Sequence, residues 1–156
     1  MSLKPSLNRL FKEGKLKVQS TDRSYLNGLL LAAERNFKAA YLIKNQADEA
    51  SFRLFYDGLL QIARLILLMN GYRPDNGEQH KTTFLLAGEF LGSDFEDLIR
   101  KIQRFRMKRN SCLYEPAGLI SKEETDSINK TAQEFWKKTR KHLKSKNPQL
   151  VLFDEF

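Results

Sequence analysis

Between Asp48 and Met69 the chain places Phe52, Phe55, Tyr56, Leu59, Leu60, Ala63, Ile66 and Leu67 around most of the circumference of a helix. A helix that is apolar on several sides needs neighbours on several sides, so this segment is expected at the centre of a helical bundle. Its longest apolar run, Leu59 to Met69, is interrupted by Gln61 and Arg64. It also falls short of the ~20 residues needed to cross a bilayer. A core helix is expected here, with no membrane association.

The rest of the chain follows the same period. A short helix is expected from about Ser6 to Lys15. A long one opens on Thr21 or Asp22 as cap, carries Leu26, Leu30, Ala33, Phe37 and Ala40 on one face, and ends near Asn45. Asn70-Gly71 and Pro74 should stop the central helix and begin a loop that runs through Gly77. Beyond it, Glu78 to Leu91 reads as a shorter helix. Gly92-Ser93 leads to another start, capped by Ser93 or Asp94, with the stripe Phe95, Leu98, Ile99, Ile102 and Phe105; Pro116 and Gly118 should end that element. The last helix begins at Ser121, which with Glu124 three positions on forms a capping box. It turns Ile128, Ala132, Phe135, Trp136 and Leu143 inward, and Pro148 closes it. Alternating, strand-like patterning is nearly absent before the last few residues. The fold class is therefore all-α, an up-and-down bundle of four to five helices with a short N-terminal helix and an extended C-terminal tail. Its divisions are an N-terminal extension (1–20), the bundle (21–146) and the tail (147–156).

Chemistry is thinly provisioned. One cysteine, Cys112, cannot form an internal disulfide, and no apolar leader follows a basic start, so a reducing cytoplasmic setting is expected. His80 and His142 lie on different helices without Cys or His partners at zinc-like spacing; no metal site and no cofactor is expected. Cys112 reads as a structural thiol. The formal net charge of +8 is concentrated in two runs, Arg100, Lys101, Arg104, Arg106, Lys108 and Arg109, then Lys130, Lys137, Lys138, Arg140, Lys141, Lys144 and Lys146. Either run would attract a polyanion, RNA, DNA or an acidic protein face, through a salt-sensitive field; the second run is equally a solvated helix face, the first less so.

One more step of the stripe Phe95, Leu98, Ile102, Phe105 lands on Arg109, so a guanidinium occupies a place where the pattern asks for an apolar residue. A charge aimed inward needs a partner. Asn110 and Tyr114, four apart, share a face if the helix persists. The alternative is that Arg109 snorkels past a helix end while Asn110 and Tyr114 cap the turn. Asp57, Gln61 and Arg64 form a polar stripe on the central helix, either an internal salt bridge or one wall of a groove facing Arg109.

Taken in order, Leu31-Ala32-Ala33-Glu34-Arg35, then Leu67-Leu68-Met69-Asn70-Gly71-Tyr72, then Glu78-Gln79-His80-Lys81-Thr82, then a helix ending Arg109-Asn110-x-x-x-Tyr114, the chain resembles the HEPN superfamily from about Asp22 to Lys144. The resemblance implies a four- or five-helix bundle that pairs as a homodimer. It also implies a cleft holding an Arg, polar, three-residue gap, His motif, metal-independent RNA cutting in active members, and a nucleotidyltransferase partner in toxin–antitoxin modules. Arg109 matches the motif arginine and Asn110 the polar residue, while Tyr114 stands where the catalytic histidine would be. A phenol with a pKa of about 10 is a far poorer proton shuttle near neutrality than an imidazole near about 6.5. The resemblance therefore implies binding of RNA or a partner protein through Arg104, Arg106, Lys108, Arg109, Asn110 and Tyr114. The alternative is a metal-independent endoribonuclease toxin using Arg109, with Arg109, Asn110 and Tyr114 as the catalytic candidates. Separately, Gln149-Leu150-Val151-Leu152-Phe153 is similar to the short peptides that dock on the bacterial sliding clamp, with Gln149, Leu152 and Phe153 as anchors. An apolar tail that packs on the bundle, or pairs with a second chain, reads the same way.

Overall fold

The computed structural model describes residues 5–75, 77, 79–114 and 119–156. The expected helix boundary at Pro116 and Gly118, residue Glu78, and the first four residues of the N-terminal extension lie outside the described residues.

The described residues are all-α apart from one short ladder. In order it forms α1 (Pro5–Lys12), β1 (Leu16–Val18), α2 (Arg23–Ile43), α3 (Asp48–Met69), β2 (Tyr72–Pro74), α4 (Gln79–Leu91), a 3-10 turn (Ser93–Phe95), α5 (Glu96–Tyr114) and α6 (Lys122–Lys146). The central helix keeps the expected bounds. Its eight apolar residues named above are all buried, and α2, α4, α5 and α6 each pack against it. The five apolar residues expected on α2 and the five on α6 are buried as well.

Local chemistry sets the ends. Asp22 Oδ1 accepts the Tyr25 backbone N–H at 2.8 Å and starts α2. Ser121 and Glu124 satisfy each other's backbone N–H groups in a capping box that starts α6. At the end of α3 the Asn70 side chain donates to the Ile66 carbonyl at 2.7 Å, and Gly71 turns the chain at φ +87°.

α2 and α3 form a close antiparallel pair. Ser51 Oγ donates to the Ala40 carbonyl at 2.7 Å, Phe37 lies against Gly58, and Asn36 Nδ2 donates to Gln61 Oε1 at 2.8 Å.

The structure corrects the sequence reading in four places. The segment after α3 is not simply a loop: Tyr72–Pro74 pairs antiparallel with Leu16–Val18 in the register Leu16 with Pro74 and Val18 with Tyr72. Pro74 sits at the end of that two-stranded ladder, where a missing N–H costs nothing, so Asn70 and Gly71 alone stop α3. The N-terminal helix ends at Lys12, not Lys15, because Gly14 turns the chain at φ +72° and the Lys15 N–H bonds back to the Leu10 carbonyl. Ser93 and Asp94 do not cap α5; they form the 3-10 turn that follows Gly92 at φ +110°.

The strand-like tail forms no strand. It packs on the bundle, with Leu150 and Phe153 buried, Phe153 stacked on Trp136 with ring centroids 4.0 Å apart, and Phe156 stacked on Phe37 at 4.5 Å. Among the described residues no helix is long and apolar enough to cross a membrane.

Candidate nucleic-acid interface

α5 runs unbroken through Tyr114, so Arg109 is in the body of the helix and not at its end. The helix directs its guanidinium onto the ring of Tyr56 on α3, with Cζ 5.2 Å from the ring centroid. Tyr56 is fully buried, and a cation held over an aromatic face is attracted by the ring quadrupole. This ring is the partner that an inward-facing arginine required. Beside it on α3, burial pushes the Asp57 carboxyl up, while Arg109 and Arg53 pull it back down. The polar stripe of α3 is thus divided by the fold. Asp57 feels Arg109, Gln61 bonds to Asn36, and Arg64 is exposed, so no Asp57–Arg64 salt bridge forms.

The Tyr56 hydroxyl lies 2.9 Å from His80 Nδ1 in the first turn of α4. Burial pushes the Tyr56 phenol well above its ordinary value of 10, so it keeps its proton beside His80. Burial lowers the His80 pKa below 6.5, and the cations Arg109, Arg64 and Arg106 lower it further. The imidazole is therefore neutral at pH 7. Three helices separated widely in sequence thus meet in one chain: Tyr56 of α3, His80 of α4 and Arg109 of α5.

Around them is an open cleft of about 590 Å³, lined by Gly77, Gln79, His80, Lys81, Arg106, Arg109 and Asn110. Gln103 Nε2 donates to the Lys81 carbonyl at 3.0 Å and ties α5 to α4 at its edge. Arg106 Nε donates to Gln103 Oε1 at 2.8 Å, which orients that guanidinium.

Of the residues singled out in the sequence, the fold brings Arg106, Arg109 and Asn110 together. Tyr114 is 84 % exposed and does not line this cleft. Arg104 and Lys108 face α6, where Lys108 pairs with Glu124 at 3.2 Å. The second basic run is partly structural: Lys138 Nζ donates to the Asp94 carbonyl and lies over Phe95, and Arg140 pairs with Asp154. Cys112 is half-buried, and burial pushes its thiol up, away from the reactive thiolate. His142 is on α6, its pKa lowered by burial and by Lys146. Of the proposed tail anchors, Phe153 is buried, Leu152 half-buried and Gln149 exposed. Among the described residues, no three His, Cys, Asp or Glu side chains converge to hold a metal ion.

Tyr56 and His80 were not legible as site residues. Tyr56 belongs to the core stripe of α3, and only its hydroxyl, which needs a partner once buried, sets it apart from the phenylalanines beside it.

The electrostatic assignment is directly testable. Arg109→Ala should raise the pKa of His80 and of Asp57, because a cation that opposes protonation of both is removed. NMR titration of the His80 ring protons reads the first shift. Because the folded His80 pKa lies below its unfolded value, stability falls as pH drops through the unfolded value towards the folded one. Arg109→Ala should make that loss shallower.

No family model matches the chain, and neither a curated protein nor a solved structure matches it. The fold and site define a class on their own terms, that of an all-α bundle with a basic cleft built on an Arg–Tyr–His contact.

Proposed function

We propose that this chain is a HEPN-like protein that binds RNA in the cleft of Arg106, Arg109 and His80. One observation carries the reading. The Arg109 guanidinium lies half-buried over the Tyr56 ring and lines the cleft, and among the described residues no ion pair holds it. A pre-oriented guanidinium beside a second one suits phosphate oxygens, to which arginine donates two parallel hydrogen bonds.

Within the HEPN-like reading the working form is a homodimer. Met107, Leu113 and Tyr114, exposed on the C-terminal half of α5, are where a second copy would pack. A nucleotidyltransferase partner and a toxin–antitoxin setting belong to the same reading.

The second reading, a metal-independent endoribonuclease, is favoured by the placement of His80 beside Arg109, which supplies the imidazole that the Tyr114 position lacks. Binding is the better fit. Attack by a ribose 2′-hydroxyl needs a base and an acid, and the site offers one imidazole with a phenol whose raised pKa makes it a weak acid.

Incubation with mixed cellular RNA in chelator, scored for both retention on a filter and cleavage, separates the two. Retention should weaken about tenfold or more in Arg109→Ala and survive in His80→Ala. The dependence of log affinity on log salt should become shallower by about 0.7 in Arg109→Ala, one single-strand phosphate contact. Cleavage abolished by both substitutions, with a limb below neutral pH from His80, would establish the enzyme instead. Neither retention nor cleavage would overturn both.

A further inference from the structure

On the other side of His80 is a second concavity of about 430 Å³, between the start of α2, the second half of α3, β2 and α4. Its wall is shared with the basic cleft, because Gln79 and His80 line both. The two are therefore adjoining compartments with the imidazole between them. Their linings differ in balance, the second being the more apolar although Arg64 and Arg73 also line it. The basic cleft presents guanidinium and amide groups. The second pocket has an aliphatic floor, Leu60 and Leu68 of α3, and an aromatic side, Tyr25, a residue 58 % exposed at the first turn of α2. Polar groups line it too: the Asp22 carboxylate, one oxygen of which already caps α2, the exposed guanidinium of Arg64, and Arg73 of β2. Its volume lies within the range of pockets for small organic molecules, roughly 300–1,000 Å³.

We infer that this pocket takes one unstacked nucleobase of a single-stranded RNA whose phosphates lie on Arg106 and Arg109, so that the strand crosses at His80. The inference rests on the RNA-binding reading above and specifies the form of RNA. A base is flat and apolar on its faces and polar along its edge. The aliphatic floor and Tyr25 match the faces, and Asp22 matches an edge that carries an N–H donor. Base stacking on aromatic side chains is how proteins usually grip unpaired RNA, and a duplex keeps its bases out of reach of such a pocket. Arg64 at the mouth suits the next phosphate along the strand.

The test compares four probes by fluorescence anisotropy: a single-stranded oligoribonucleotide, its duplex, an abasic ribose-phosphate chain of the same length, and inorganic polyphosphate. Wild-type protein should hold the single strand at least about tenfold more tightly than the duplex or the abasic chain. Tyr25→Ala should weaken single-strand binding roughly fivefold to a hundredfold, the range for loss of one stacked base, and leave polyphosphate binding unchanged. Arg109→Ala should weaken both. The abasic probe needs no variant, so the result does not depend on how Tyr25→Ala folds. Equal affinity for intact and abasic chains, or for single strand and duplex, would overturn the base pocket while leaving phosphate binding standing. No binding of RNA or polyphosphate would overturn both readings.

Discussion

Truncation of the chain after Pro148 should lower the free energy of unfolding by about 3–6 kcal/mol, the worth of two large buried side chains at roughly 1.5–3 kcal/mol each. The two are Leu150, 7 % exposed, and Phe153, 8 % exposed. The stabilisation is cooperative with the bundle. The Phe153 carbonyl accepts from Trp136 Nε1 at 3.2 Å and from Arg140 Nε at 3.0 Å, the Val151 N–H donates to Asn27 Oδ1 at 3.0 Å, and the Phe156 ring covers Phe37. Without the tail the fully buried Trp136 ring would meet water on one face. Urea denaturation of the full and truncated chains reads the difference, and a change below about 1 kcal/mol would mean that the tail merely rests on the surface. A sliding clamp engaging Phe153 would first have to release that side chain from Trp136. The packed position favours a structural role for this segment, and a clamp peptide remains a proposal that must overcome this contact.

The second large effect is at Gly58. A Cβ there would lie 2.5 Å from Phe37 Cε1, 2.7 Å from Cδ1 and 2.9 Å from Cζ, closer than carbon atoms approach without displacement. The Phe37 ring has nowhere to go, since it is fully buried and stacked against Phe156. Overpacking of this kind costs about 1–3 kcal/mol, against a gain of about 1 kcal/mol from replacing a helical glycine by alanine. Gly58→Ala should therefore lose up to about 2 kcal/mol, and Gly58→Leu about 3 kcal/mol or more. Gly28 in α2 gives the control, because a Cβ there meets nothing within 4 Å. Gly28→Ala should be neutral or gain up to about 1 kcal/mol. Thermal or urea unfolding of the three variants checks the signs, and equal effects at both glycines would show that the α2–α3 contact is looser than it looks. The site has a stake in the result. Tyr56 and Asp57 precede Gly58 on α3, so a shift of α3 away from α2 would move the Tyr56 ring relative to Arg109 and His80.

The contrast between Arg109 and His80 shows how far the sequence could be read. Arg109 was visible because it interrupts an apolar stripe, and a broken period is a local signal. Its meaning was not visible, since the choice between a helix-end arginine and an inward-facing one depended on whether α5 continued to Tyr114. His80 gave no such signal. It stands in the first turn of a short helix with nothing unusual at helical spacing, and its partner Tyr56 is 24 positions away. The basic run of α5 was legible as charge and not as direction. Helical geometry sends Arg106 and Arg109 towards α4, and sends Arg104 and Lys108 towards the acids at the start of α6.

The sequence by itself determined the long helices, the caps at Asp22 and Ser121, and the buried faces. Those depend on neighbours three or four positions apart, on the conformations open to glycine and proline, and on side chains that reach their own backbone. Asp48–Met69, the five buried positions of α2 and the Ser121–Glu124 box are of this kind. Only the tertiary structure decided what depends on which helix lies beside which. It joined Leu16–Val18 to Tyr72–Pro74, folded Phe153 and Phe156 into the bundle, and placed His80 against Tyr56 under the charge of Arg109. Each of these contacts spans 17 positions or more, and its energy comes from desolvation and from partners that the local pattern does not contain.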